Sequence, residues 1–162
     1  MIALEIGVGG GRVAKRTAPL CKELHAVDIS QEMLKKAKAN LGAFENVKYY
    51  HSTVSPSLPK ALPAAFDFIY SFDVFVHCDI HTFYQTLLNI KPLLNKDHGL
   101  FFVSVANLCS KLGFERFKKQ KAFKVAGFYC KFYLSPPHVV MSPDIVKTLV
   151  HEAGFIILKS NY

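Results

Sequence analysis

Four glycines, Gly7, Gly9, Gly10 and Gly11, fall within five positions directly behind the apolar run ALEI, which carries one acid, Glu5. Backbone so poor in side chains turns sharply and lets another group approach its main chain closely. Placed between a short strand and a helical pattern, such a turn leaves free N–H groups facing a ligand with anionic or strongly polar parts. Glu5 adds a second constraint, because an acid in a central strand is costly to bury unless something pairs with it.

The rest of the chain alternates in the same sense. Apolar runs near 2–6, 23–27, 47–51, 66–71, 100–106 and 155–160 read as strands, separated by helical patterns. Such alternation implies a mostly parallel sheet covered on both faces by crossover helices, a three-layer αβα doubly wound fold of the α/β class. Ser30 is suited to cap a helix with Met33, Leu34, Ala37 and Leu41 on its apolar face and Gly42 as its stop. Ser142, Pro143 and Asp144 open another, with Ile145, Val146, Leu149, Val150 and Ala153 inside and His151 outside. A third spans 82–94 with Phe83, Leu87, Leu88 and Leu94 buried and Pro92 bending its end. The proline-bearing stretch 52–64 is a loop.

With 162 residues and 51% of them apolar, the chain is expected to form one domain, 1–162. No run reaches the length of a membrane span and no secretory leader is evident, so a soluble, cytoplasmic protein is expected. Cys21, Cys78, Cys109 and Cys130 are widely spaced, which reads as reduced, mostly buried thiols, and no metal site is predicted. Residues 111–131 hold seven basic residues against Glu115, six of the eight excess positive charges of the chain. The same stretch interleaves Phe114, Phe117, Phe123, Phe128 and Tyr129, and residues 111–141 read as a basic aromatic insertion or an amphipathic lid with solvated lysines. A surface for anionic or lipid-like acceptors and a nucleic-acid platform are the competing readings.

Two glycine fingerprints fit poorly. A phosphate-binding P-loop needs a lysine followed by Ser or Thr, which is absent at that spacing. The dinucleotide pattern G-x-G-x-x-G meets Arg12 when counted from Gly7, and ends in Ala14 when counted from Gly9. A nicotinamide enzyme is thereby weakened.

The pattern of Glu5, Gly7, Gly9 and Gly11 resembles the first motif of class I S-adenosylmethionine-dependent methyltransferases. HAVDIS (25–30), FDFIYSFDVFVH (66–77), GLFFVSVAN (99–107) and SPDIVKTLVHEAGF (142–155) resemble the following family segments in order. The resemblance implies a Rossmann-like fold and S-adenosyl-L-methionine as cofactor. It implies Asp28, with Ile29 beside it, at the ribose, and Glu5 toward the cationic methionine end. Met33 is a candidate for adenine contact, and Ser71 and Phe72 for the methionine side. The family's acid after the third strand is missing between Asn46 and Phe66, so Ser52 or Thr53 is expected to substitute, with reduced donor affinity. In the loop after the fourth strand, His77 is the candidate base and Asp73 the candidate orienting acid, with His81 and His138 as weaker alternatives.

The implied activity is methyl transfer to a small-molecule acceptor, and the resemblance implies that residues 111–141, between the fifth strand and the last helix, form a lid over the acceptor site. A non-catalytic donor-binding module, or a truncated inactive homologue, is the first alternative, and a nucleic-acid methyltransferase the second. Truncation at both ends is expected, since neither the family's N-terminal helical segment nor its seventh strand is found.

Overall fold

The computed structural model describes residues 1–54, 56–119 and 140–161, together with the backbone of 124–125 and 128–129. Five strands form one parallel sheet: β1 (Ile2–Ile6), β2 (Glu23–Asp28), β3 (Val47–His51), β4 (Phe68–Ser71) and β5 (Leu100–Val103), in the order β3-β2-β1-β4-β5. β1 therefore pairs with β2 on one side and β4 on the other. The chain runs outward in both directions from there, which opens a crevice at the carboxyl ends of β1 and β4, where open α/β sheets place their ligands.

Alternation along the strands sorts the two faces. Ala3, Leu24, Ala26 and Tyr70 pack with Ala14, Leu34 and Ala37, beneath α1 (Ala14–Thr17) and α2 (Gln31–Asn40). Leu4, Ile6, Val27 and Ile69 face the other way, against Ile90 of α3 (Ile80–Ile90). Phe83 and Leu87 of α3 continue that layer toward α5 (Pro143–Glu152). Ser30, Asp79 and Ser142 cap α2, α3 and α5, each accepting a backbone N–H three residues on. Pro92 lies in a 3₁₀ turn, Lys91–Leu93, that ends the third helix. β6 (Ala106–Asn107), which runs parallel to β9 (Val140–Met141), leads into α4 (Lys111–Lys119), and β7 (Lys124–Val125) runs antiparallel to β8 (Phe128–Tyr129).

The structure corrects several expectations. Residues 155–160 are not a strand, because no described strand is aligned to share a ladder with them, and Ile156 and Leu158 stand 87% and 78% exposed. The run 100–106 stops pairing at Val103, and Ala106–Asn107 joins a separate small sheet. The helix after the glycine turn is one turn of four residues, continued by a 3₁₀ turn, because Pro19 follows so soon. Leu88 and Ile145, expected inside, are exposed: their helices bury the faces of Leu87 and Val146. Of the thiols, Cys21 is buried, Cys78 partly buried and Cys109 exposed, all three free. Cys130, His138 and most of the proposed lid lie outside the described residues. Among the described residues no helix is long and apolar enough to cross a membrane.

The contrast between two neighbouring leucines is testable. Leu87→Ala empties a fully buried position and is expected to cost about 2–5 kcal/mol. Leu88→Ala is expected to stay within about 0.5 kcal/mol of the parent in the same urea titration.

Candidate ligand site

The site begins where β1 ends. Gly7 has φ 77°, and its N–H donates to the Val27 carbonyl at 2.8 Å, turning the chain over the end of β2. A Cβ at Gly7 would overlap the Val74 side chain, so the loop after β4 can lie directly on the turn. Gly9, with φ 52°, has the opposite surroundings: an added Cβ would meet nothing within 4 Å. One glycine thus permits chain against chain, and the other leaves bare backbone facing open space.

Asp28 joins this turn to β2. It is 8% exposed; its Oδ2 accepts the Gly9 N–H at 2.8 Å and its Oδ1 accepts the Ser30 N–H at 2.9 Å. Each oxygen retains acceptor capacity beyond its one backbone donor. The carboxylate lines a cavity of about 460 Å³ at the carboxyl ends of the strands. Ile6, Gly7, Val27 and Ile29 border it near Asp28. Ser52, Ser57 and Leu58 form one wall, and the segment from Asp73 to Asp79 with Thr82 and Thr86 of α3 the other. Ser52 donates its hydroxyl to the Ser57 carbonyl at 2.6 Å, which folds the proline-rich loop against the cavity.

Glu5 lies behind the turn. It is 2% exposed and accepts a hydrogen bond from the Tyr70 hydroxyl at 2.8 Å, which in turn lies 2.6 Å from the Thr17 hydroxyl. Burial pushes the Glu5 carboxyl up to about 7, against the lowering effect of the Tyr70 hydrogen bond and the Arg12 charge. Burial and the neighbouring Glu5 also raise the Tyr70 phenol, so it stays protonated and able to donate.

At the mouth, Asp73 adopts φ 60°, a left-handed conformation that aspartate tolerates better than most residues. Its N–H donates to Ser104 Oγ at 2.8 Å, and its carboxylate lies 3.3 Å from the Arg12 guanidinium. That guanidinium also stands over the Phe72 ring, 5.6 Å from its centre. His77 lies in a short 3₁₀ turn, Phe75–His77, on the cavity wall. Asp79 accepts both the backbone and hydroxyl protons of Thr82, which hold its carboxyl below the usual range.

The cavity gathers Gly7, Asp28, Ile29, Ser52, Asp73 and His77 of the residues expected from sequence. Gly9 and Gly11 shape the turn beside it, Gly11 with Leu41 close behind. Glu5 and Ser71 are buried in the sheet, Ser71 donating its hydroxyl to the Ile6 carbonyl at 3.0 Å. Met33 is partly buried in α2, while Thr53, Phe72 and His81 are exposed, none of them lining the cavity. Sequence reasoning missed Arg12, Leu58 and Thr86. Arg12 had left a signal, being the residue that spoils the dinucleotide fingerprint; Thr86 sits on an apolar helix face and gave none.

The family described as Methyltransferase domain matches residues 3–97. Among solved structures, the YcgJ protein of Bacillus subtilis is 25% identical, with TM-score 0.58, covering 73% of this chain and 50% of its own. Phosphoethanolamine N-methyltransferase 1 of Haemonchus contortus, solved with phosphoethanolamine and S-adenosylhomocysteine, is 15% identical, with TM-score 0.63, covering 90% of this chain and 29% of its own. The N-methyltransferase NodS of Bradyrhizobium japonicum, solved with S-adenosyl-L-homocysteine, is 16% identical, with TM-score 0.66, covering 93% and 64%. The chain thus spans less than two thirds of the length of each of the three. No curated protein matches the sequence.

Two variants test this geometry. Gly7→Ala is expected to destabilise the fold by about 1–3 kcal/mol, read by urea denaturation, because it combines a positive φ with overlap at Val74. For Glu5, the folded-state pKa of about 7 lies above the ordinary 4.5, so its contribution is fully present below pH 4.5 and is lost as pH rises through 7. Glu5→Gln removes that loss, so the variant is expected to gain on the parent by up to about 3 kcal/mol between pH 4.5 and 8. A stability difference independent of pH would contradict the buried, protonatable Glu5.

Proposed function

The chain belongs to the methyltransferase domain family, and from that membership we propose that it binds S-adenosylmethionine in the cavity beside Asp28 and methylates a small-molecule acceptor. The observation that carries this reading is the Asp28 carboxylate, fixed by two backbone donors in a residue that lines the cavity. A fixed carboxylate with spare acceptor capacity suits a pair of vicinal hydroxyls, as on a ribose. The fit extends to Gly9, where bare backbone faces open space, and to the apolar border of Ile6, Val27 and Leu58. The neighbours solved with S-adenosylhomocysteine support the same assignment.

In this reading Asp28 holds the ribose, with Ile29 and Ser52 bordering the base, and Gly7 and Gly9 admit the donor to the backbone. Glu5, behind the turn, lies toward the cationic methionine end, whose charge favours its ionised form, and Ser71 and Phe72 support that side from the end of β4. Met33 and Thr53 stay candidates for the adenine side. The donor supplies a methyl group already activated by a positive sulfur. The protein's remaining task is positional: to hold the acceptor's lone pair in line with the methyl–sulfur bond. Asp73 orients the acceptor at the mouth, and His77 receives the proton that an O–H or N–H acceptor releases. The free thiols Cys21, Cys78 and Cys109 fit a reducing compartment, and the cytoplasm is the proposed place of action.

Isothermal calorimetry with S-adenosylmethionine and S-adenosylhomocysteine tests the donor site. Both are expected to bind, and Asp28→Ala to weaken both about ten- to a hundredfold through the lost charge-assisted hydrogen bonds. No binding, or binding indifferent to Asp28→Ala, would remove the assignment.

A further inference from the structure

The sign of charge around the cavity is opposite to that of the chain. The sequence carries a formal charge of +8, yet Asp28, Asp73 and Asp79 line the cavity and, among the described residues, no lysine or arginine does. If Asp28 serves the donor's ribose, the acids left on the lining are Asp73, paired with Arg12, and Asp79, which caps α3 through Thr82. They stand among Leu58, Val74, Phe75 and Cys78, apolar walls that suit a small hydrocarbon or aryl frame.

A second observation shows what the mouth can hold. The Arg12 guanidinium reaches across from the glycine turn, 3.3 Å from the Asp73 carboxylate and 5.6 Å above the Phe72 ring centre. A carboxylate combined with an aromatic face is the chemistry that recognises an organic cation. Asp73 is held ready for it, its backbone fixed by Ser104 and its φ at 60°. The Arg12 and Asp73 side chains are 74% and 60% exposed, so their pairing is weak and readily exchanged.

We infer that the methyl acceptor is a small amine that arrives as a cation, docks on Asp73 and Phe72 in the place now taken by Arg12, and passes one N–H proton to His77 so that its nitrogen lone pair is free to attack the methyl group. This rests on the proposed methyltransferase reading and narrows it, since the same charges oppose phosphate- and carboxylate-bearing acceptors. Asp73 is the specificity-determining residue, and Arg12 the cation that keeps its place.

Calorimetry on the protein saturated with S-adenosylhomocysteine separates the two levels of the argument. The probes are 2-phenylethylamine, 2-phenylethanol and 3-phenylpropionate at pH 7.5, similar frames bearing a cation, a neutral group and an anion. The amine is expected to bind at least tenfold more tightly than either counterpart. Asp73→Asn, which tolerates the left-handed backbone, is expected to abolish that preference while leaving S-adenosylhomocysteine binding intact. Arg12→Gln is expected to strengthen amine binding several-fold. Equal binding of the three probes, a preference that survives Asp73→Asn, or no amine binding to the saturated protein would overturn the inference. Failure of S-adenosylhomocysteine itself to bind would overturn the donor site instead.

Discussion

The site depends on one carboxylate tying two turns together. Asp28 ends β2, and by accepting the Gly9 N–H it fixes the glycine turn that ends β1. By accepting the Ser30 N–H it also sets the entry to α2, whose cap is Ser30 itself. The turn can adopt that position only because Gly7 lacks a side chain where Val74 lies against it. From these contacts follow the placement of the loop after β4 and the cavity between that loop and Ser52. An apolar residue at position 28 would leave two backbone donors without their partner and the cavity without its fixed acceptor.

Charge is distributed by depth as much as by sequence. Glu5 and Asp28 are the innermost acids, and they are held differently: Glu5 by a phenol in an apolar layer, Asp28 by backbone amides at the cavity surface. Desolvation raises the first and outweighs the Tyr70 hydrogen bond and the Arg12 charge that lower it. The outer acids, Asp73 and Asp79, meet a guanidinium and a helix cap. A basic chain therefore presents an acidic pocket, a contrast that net charge alone conceals.

Much of this was legible beforehand because it rests on local chemistry. The glycine cluster, the Ser30 and Ser142 caps and the first four strands follow from backbone conformation, capping and apolar alternation, and they appear within a few residues of where the sequence places them. Asp28, Ser52, Asp73 and His77 converge on one cavity because they lie at or just beyond the carboxyl ends of β2, β3 and β4 in a parallel sheet. What was not legible depends on partners distant in sequence. Residues 155–160 have a strand's composition, but among the described residues no strand pairs with them. Leu88 and Ile145 have core composition, but their burial is decided by which side of the helix meets the sheet. Arg12 reaches Asp73 across 61 residues of sequence.

Chemical-shift mapping of uniformly ¹⁵N-labelled protein during titration with S-adenosylhomocysteine tests the central claim most directly. The largest amide shifts are expected at Gly7, Gly9, Asp28, Ile29 and Ser52, the residues that the glycine turn and the Asp28 carboxylate bring to one cavity. Shifts confined to residues away from the carboxyl ends of β1, β2 and β3, or none at saturating ligand, would contradict it.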